Sequence, residues 1–219
     1  MKPIYLDYNA TTPIAKEVAD AMLPYLYEHF GNPSSGHPYG VQARLAIDLA
    51  RRQVAELIGA QPAEIIFTSG GTEANNHAIR GYCEQHKDKG RHIITSAVEH
   101  PAVLEVCRYL VQHGYELSIL DVDQYGLVNP DDLRVAIRPD TILISIMHAN
   151  NEVGSIQPLQ ELTAIAKSYA IAFHTDAAQS VGKIPVNVID LGVDMLSIAG
   201  HKLYAPKGVG ALFFRSGIL

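Results

Sequence analysis

The sequence has only two cysteines, Cys83 and Cys107, far apart and in no CxxC pair. That excludes a disulfide framework and a thiol-ligated metal module, and fits a reducing, cytoplasmic setting. It also lacks any apolar run near the ~18 residues that a membrane-spanning helix needs. The first residues, MKPIYLDYNATTP, contain no apolar signal core. Positive charge is not in excess: 17 Lys and Arg against 23 Asp and Glu give a formal net charge of −6. Nothing here points to nucleic acid or a membrane surface as partner. There is no internal repeat and no low-complexity stretch.

What remains is an ordinary globular balance, 47% hydrophobic and 18% charged over 219 residues, enough for one large domain. Residues 1–15 read as an N-terminal arm and 16–219 as one large domain. Helices are expected at about 15–29, 39–58, 72–87, 101–113, 130–137 and 158–169. In the second of these, Ala43, Ile47, Ala50, Val54, Leu57 and Ile58 share a face. Strands are expected at Glu64–Thr68, His92–Ser96, Glu116–Leu120, Ile142–Met147, Ala172–Thr175, Met195–Ala199 and Gly210–Arg215. Several strands are continuous apolar runs, the pattern of strands buried on both faces. The alternation predicts an α/β fold, a seven-stranded mostly parallel sheet with helices on both faces. The link from Ala199 to Gly210 is too short for a helical crossover, so the last strand should run antiparallel.

Ligands of such sheets bind beyond the carboxyl ends of the strands. The residues able to do chemistry fall there: Thr72, His100, Asn150 and Asn151, Asp176 and Gln179, and His201 with Lys202. Ser69-Gly70-Gly71-Thr72-Glu73 joins a strand to a helix, and small residues there let backbone N–H groups approach an anion such as a phosphate. A plain helix cap by Ser69 or Thr72 explains the same residues. Asp176, at a strand end, can face a ring nitrogen and keep it protonated; it can also cap a helix, or share a metal with His174. Lys202 follows a buried strand, where desolvation favours the neutral amine that forms a Schiff base. Lys207, beyond a proline turn, is placed on solvent. His100 precedes a proline that opens a helix, and its imidazole can stack on a flat ligand or relay a proton.

The segments YLDYNATTP, GNPSSGH, EIIFTSGGTEANN, TSAVEHPAV, ANNEVGSIQP, FHTDAAQSVGK and HKLYAPKGVGAL follow one another through nearly the whole chain. Together they resemble the cysteine desulfurases of the NifS/IscS type, in the class V aminotransferase group of fold-type I pyridoxal-phosphate enzymes. The resemblance implies a bound pyridoxal 5′-phosphate held by Lys202 as a Schiff base, with Lys202 also shuttling a proton. It implies His100 stacked on the ring, Asp176 on the ring nitrogen and Gln179 on the ring hydroxyl. Asn151 would touch the ring or the substrate carboxylate, and Gly71, Thr72 and His201 the phosphate. L-cysteine is the implied substrate, an iron–sulfur scaffold or similar protein the sulfur acceptor, and a homodimer the assembly.

Two departures from the family pattern stand out. A serine usually lies two residues before the motif histidine, and here that position is Ala199. The missing charge-assisted hydrogen bond, worth about 1.5–3 kcal/mol, predicts weaker cofactor retention. The family's smaller C-terminal domain, with a substrate-binding arginine and a nucleophilic cysteine loop, has no counterpart in these residues. Cys83 and Cys107 fall in helices and read as buried structural thiols, so this chain alone is expected to bind cofactor without desulfurating cysteine. Another class V reaction (selenocysteine lyase, small-amino-acid aminotransferase), a non-catalytic scaffold, and a metal hydrolase using His100, His148, His174 and Asp176 are the other readings.

Overall fold

The computed structural model describes residues 3–218. Its strands are β1 (Ile65–Thr68), β2 (His92–Ser96), β3 (Glu116–Leu120), β4 (Thr141–Ser145), β5 (Ala172–Asp176), β6 (Met195–Ala199) and β7 (Gly210–Phe214). The helices are α1 (Lys16–Tyr27), α2 (Pro38–Ile58), α3 (Gly71–Gln85), α4 (Pro101–Gln112), α5 (Pro130–Ala136), α6 (Leu159–Ser168) and the four-residue α7 (Val188–Leu191). Short 3-10 turns at Pro62–Glu64 and Gly200–Lys202 and the helix α7 escape the sequence pattern, being too short to show a period. The other boundaries shift by one or two residues, as helix and strand ends do.

One seven-stranded sheet has the order β1-β7-β6-β5-β4-β2-β3. Strands β2 to β6 pair in parallel, and β7 runs antiparallel to both β6 and β1. That double reversal leaves β1 parallel to the rest, so its C-terminal end reaches the same sheet edge as those of β2, β4, β5 and β6. The Gly210 position shows how tightly this corner closes: a Cβ there would lie 2.7 Å from the Gly70 Cα and 2.6 Å from the Ile198 carbonyl oxygen.

The sheet is covered on both faces. Ala74, Ala78 and Ile79 of α3 pack with Val103, Val106 and Leu110 of α4 over one face. Leu159, Leu162 and Ile165 of α6, Leu133 of α5 and the end of α2 cover the other, around Phe173 and Phe213. Strands β2, β4, β5 and β6 are buried along their whole length, including polar residues such as His92, Thr95, His174 and Ser197.

The stripe expected on α2 holds only in part. Ala43, Ala55 and Ile58 are buried, whereas Ile47 and Leu57 are exposed. Only the last turns of this helix reach the core; its middle has no sheet beneath it, so angular position there does not translate into burial. Helix α1 has no buried residue; Leu26, Tyr27 and Phe30 are exposed, as are the arm residues Ile4 and Leu6. Among the described residues, no helix is long and apolar enough to cross a membrane.

Candidate active site

A cavity of about 570 Å³ opens at the carboxyl edge of the sheet. The site residues that the resemblance implies line it together: Gly71, Thr72, His100, Asn151, Asp176, Gln179, His201 and Lys202. Asn150 does not: its Nδ2 donates to the Val98 carbonyl at 3.2 Å and its Oδ1 accepts from the Glu152 and Val153 N–H groups. Asp7, Asn9, Asn75, Met147 and Ala199 line it as well. Lys207 is exposed and does not.

The anion end is built by α3. Gly70 caps the helix with φ 155° and ψ −178°, a region open essentially only to glycine, and so contributes no side chain to the cap. Neither Ser69 nor Thr72 caps the first turn. Instead the Ser69 N–H donates to the Glu73 carboxylate. The leading N–H groups of α3 have no partners within the helix and are available to an anion. A Cβ on Gly71 would sit 3.2 Å from that of Ala199, so the wall is closed by two small residues. His201 lies in the turn after β6. Its Nδ1 pairs with the Thr11 hydroxyl at 3.1 Å, leaving Nε2 for a ligand. Burial and the nearby Lys202 and Lys207 hold the ring below the ordinary histidine range.

Asp176 ends β5 and is almost fully buried. No helix follows it, so the capping reading fails. Its Oδ1 accepts from the Ala178 N–H at 2.9 Å in a tight side-chain turn, and its Oδ2 from Asn75 Nδ2 at 2.8 Å. The metal reading fails for His174, whose Nδ1 meets the Ser145 hydroxyl at 2.8 Å and Nε2 that of Ser197 at 3.0 Å. It is a core histidine pushed down to about 3 by burial. Among the described residues, no three His, Cys, Asp or Glu side chains gather as metal ligands.

Lys202 is half-buried. Desolvation draws its amine below the ordinary lysine range, opposed by the negative charge of Asp176 and Asp7. Among the described residues no carboxylate comes within ion-pair distance of it, which leaves the nitrogen free for bonding. His100 caps α4 through Nδ1, which accepts from the Ala102 N–H at 3.1 Å. The neutral ring therefore carries its proton on Nε2. Gln179 is held at both ends, Nε2 donating to the Asn9 carbonyl at 2.9 Å and Oε1 accepting from Lys183 at 2.6 Å. One N–H and one lone pair remain for a ligand. Asn9 Nδ2 also donates to the Asn151 carbonyl at 3.2 Å, while the Asn151 amide bonds Glu152. The arm thus ties two strand-end loops together.

Several cavity residues are missed by the sequence reading. Asp7 and Asn9 lie in the arm motif, but nothing local shows that the arm folds over the sheet edge. Asn75 stands one turn beyond Gly71, among Ala74, Ala78 and Ile79; a polar residue on an otherwise apolar helix face is the available signal. Glu99, one residue before His100, is buried behind the cavity. Its Oε1 accepts from Ser96 Oγ and from the Met147 N–H, each at 2.7 Å.

Residues 4–219 match the aminotransferase class-V family. The chain belongs to that family. It is 62% identical over 99% of its length to a protein of Dictyoglomus turgidum named cysteine desulfurase IscS, covering 55% of that relative. It is 50% identical to human cysteine desulfurase, covering 98% of this chain and 47% of the human one. The chain therefore spans about half the length of the curated relatives it matches. A solved structure titled SspA in complex with cysteine superposes with a TM-score of 0.95 at 43% identity, over 98% of this chain and 62% of that one. A NifS-like protein superposes with a TM-score of 0.96 at 41% identity, over 99% and 60%. The fold is that of the pyridoxal-phosphate cysteine desulfurases, fold type I, as the strand pattern and motifs predict.

Proposed function

We propose that this chain forms the pyridoxal 5′-phosphate-binding part of a cysteine desulfurase that takes sulfur from L-cysteine. One observation carries the reading: residues from six separated segments place an amine, a fixed carboxylate and an open helix N-terminus around a single cavity in a chain of this family. The donor set fits the cofactor. The first turn of α3, Thr72 and His201 Nε2 would hold the phosphate, Asp176 the ring nitrogen, Gln179 the ring hydroxyl, His100 the ring face and Lys202 the aldehyde carbon.

The cofactor supplies a carbonyl for amines and a protonated ring that takes up electrons from the substrate carbon. The protein's contribution is to position an amine and a carboxylate on one cavity. Lys202 is pushed toward the neutral amine, which can bond the cofactor and accept a proton. The Asp176 carboxylate, held by two N–H donors, would face the ring nitrogen and accept its proton in a hydrogen bond. Asn151, tied to the arm through Asn9, would touch the ring or the substrate carboxylate. The resemblance further supports a protein sulfur acceptor such as an iron–sulfur scaffold, and a homodimer.

The sulfur-attacking thiol in this reaction is neither Cys83 nor Cys107. Both are wholly buried, and burial pushes the Cys107 thiol up to about 12 and that of Cys83 further still. The 219-residue chain is therefore expected to bind cofactor and release no sulfide from cysteine. Borohydride reduction with pyridoxal 5′-phosphate present, followed by peptide mass mapping, should mark Lys202 and spare Lys207. A label on Lys207, or on no lysine, overturns the proposal.

The Ala199 position gives a separate test. Its side chain faces the cavity beside Gly71. Ala199→Ser adds one hydroxyl donor, and cofactor affinity should rise about tenfold, the low end of a charge-assisted hydrogen bond. An unchanged dissociation constant in a fluorescence titration would mean that the phosphate lies elsewhere or already has its full complement of donors.

A further inference from the structure

We propose that Asn75 is the positioning residue that sets the orientation of the Asp176 carboxylate toward the cofactor ring, an inference that rests on the cofactor reading given above. Asn75 lies on α3, has no exposed surface, and lines the cavity. Its Nδ2 donates to Asp176 Oδ2 at 2.8 Å. An ionised carboxylate can only accept, so the amide cannot be reversed without setting oxygen against oxygen. Its Oδ1 is consequently left buried without a partner.

This is a poor arrangement if the residue serves only to pack. Asparagine is a weak former of helix interiors, and its neighbours Ala74, Ala78 and Ile79 are apolar and buried. A leucine or alanine would complete that face with no orphaned oxygen. The adjacent Asn76 shows what an asparagine without a long-range partner does: it donates back to the Thr72 carbonyl of its own helix. Asn75 instead reaches across 101 residues of sequence to one carboxylate oxygen.

The Asp176 carboxylate thereby has one donor on each oxygen, Ala178 N–H on Oδ1 and Asn75 on Oδ2. The first comes from its own turn and moves with it. The second comes from the helix whose first turn forms the anion end of the cavity. Asn75 thus fixes the carboxylate plane relative to the phosphate seat, the two points between which a ring must lie. Of the titratable groups nearby, Lys202 and Glu99 both feel the Asp176 charge, so its position is transmitted to them.

The test compares the wild-type chain with Asn75→Leu and Asn75→Ala, each checked for a cooperative thermal transition. The leucine fills the space and the alanine avoids overpacking, so at least one is expected to fold. With pyridoxal 5′-phosphate bound, weaker tethering leaves the ring proton less firmly held. Less positive charge then faces the Lys202 nitrogen, and the pH midpoint of the visible absorbance band should rise by about half a unit or more. The cofactor dissociation constant should rise about tenfold. In cofactor-free crystals of the variants, the Asp176 carboxylate plane should turn by about 30° or more from its wild-type setting. A folded variant whose band midpoint and Asp176 orientation both match wild type overturns the inference. If the wild-type chain takes up no cofactor, the proposed function fails instead, and the crystallographic arm alone decides for or against the tether.

Discussion

Lys202→Ala should abolish covalent capture of pyridoxal 5′-phosphate and lower desulfurase turnover in the complete enzyme by at least about 10³-fold. The expectation follows from where the amine sits. A lysine on the surface is an ammonium near pH 7 and a poor nucleophile, whereas desolvation at the end of β6 favours the neutral form. Lys202→Arg separates charge from reactivity. It keeps a cation facing Asp176 and Asp7 but offers no nitrogen that loses its proton, so it should fail as completely as alanine. Lys207→Ala should leave labelling intact, since that side chain points into solvent. Borohydride trapping with mass mapping reads the first effect, and sulfide release from L-cysteine by the complete enzyme reads the second. Retention of a reducible cofactor link in Lys202→Ala would sink the assignment.

Glu99→Gln should flatten the loss of stability that the fold suffers as pH rises toward about 8. The carboxyl is buried, and desolvation, with a smaller push from the charge of Asp176, raises it to about 8 against bonds from Ser96 and Met147. An unfolded glutamate ionises near 4.3. Between these values the folded chain keeps a proton that the unfolded chain gives up, so stability falls as pH rises from about 4.3 to 8. At about 1.4 kcal/mol per unit, the total loss is on the order of a few kcal/mol. Glutamine copies the protonated acid: its oxygen still accepts from the Ser96 hydroxyl and the Met147 N–H, and it never ionises. Thermal melts should show the wild type losing stability between pH 5.5 and 8 and the variant losing much less. Parallel curves would show that Glu99 is ionised in the fold. His174 works the opposite limb: held neutral to about pH 3, it lets the unfolded chain bind a proton first, and so weakens the fold as pH drops below about 6.5.

The sheet was legible because its strands are buried on both faces. A run such as Ile142–Ile144 in β4 places apolar residues at successive positions, which a strand with one solvated face does not need. The direction of β7 was legible from connection length alone. Exposure along α2 was not, because a helical period states which residues share a face and not whether anything lies against it; Ile47 and Leu57 share a face with Ala43 and remain open. At the cavity, strand-end residues were legible because topology brings all such ends to one edge. Asp7 and Asn9 were missed because the arm reaches that edge through contacts separated by 142 to 170 residues, which no local pattern encodes. Asn75 and Glu99 were missed for a different reason. Asn75 lines the cavity but acts through Asp176, and Glu99 reaches it only through Met147; such partnerships are set by three-dimensional packing.

The attachment of the arm has a consequence for how the protein matures. Thr12 donates to the His201 carbonyl, Tyr204 donates back to the Thr12 hydroxyl, and Ala15 donates to the Tyr204 carbonyl, so two stretches almost 190 residues apart share one seam. A ribosome making this chain has released most of the sheet before residues 201–204 appear, and residues 12–15 lack these partners until then. Cofactor loading is then a late event. Lys202 lies within that seam, so a ligand bonded there as proposed would rest on the same turn that fastens residues 12–15.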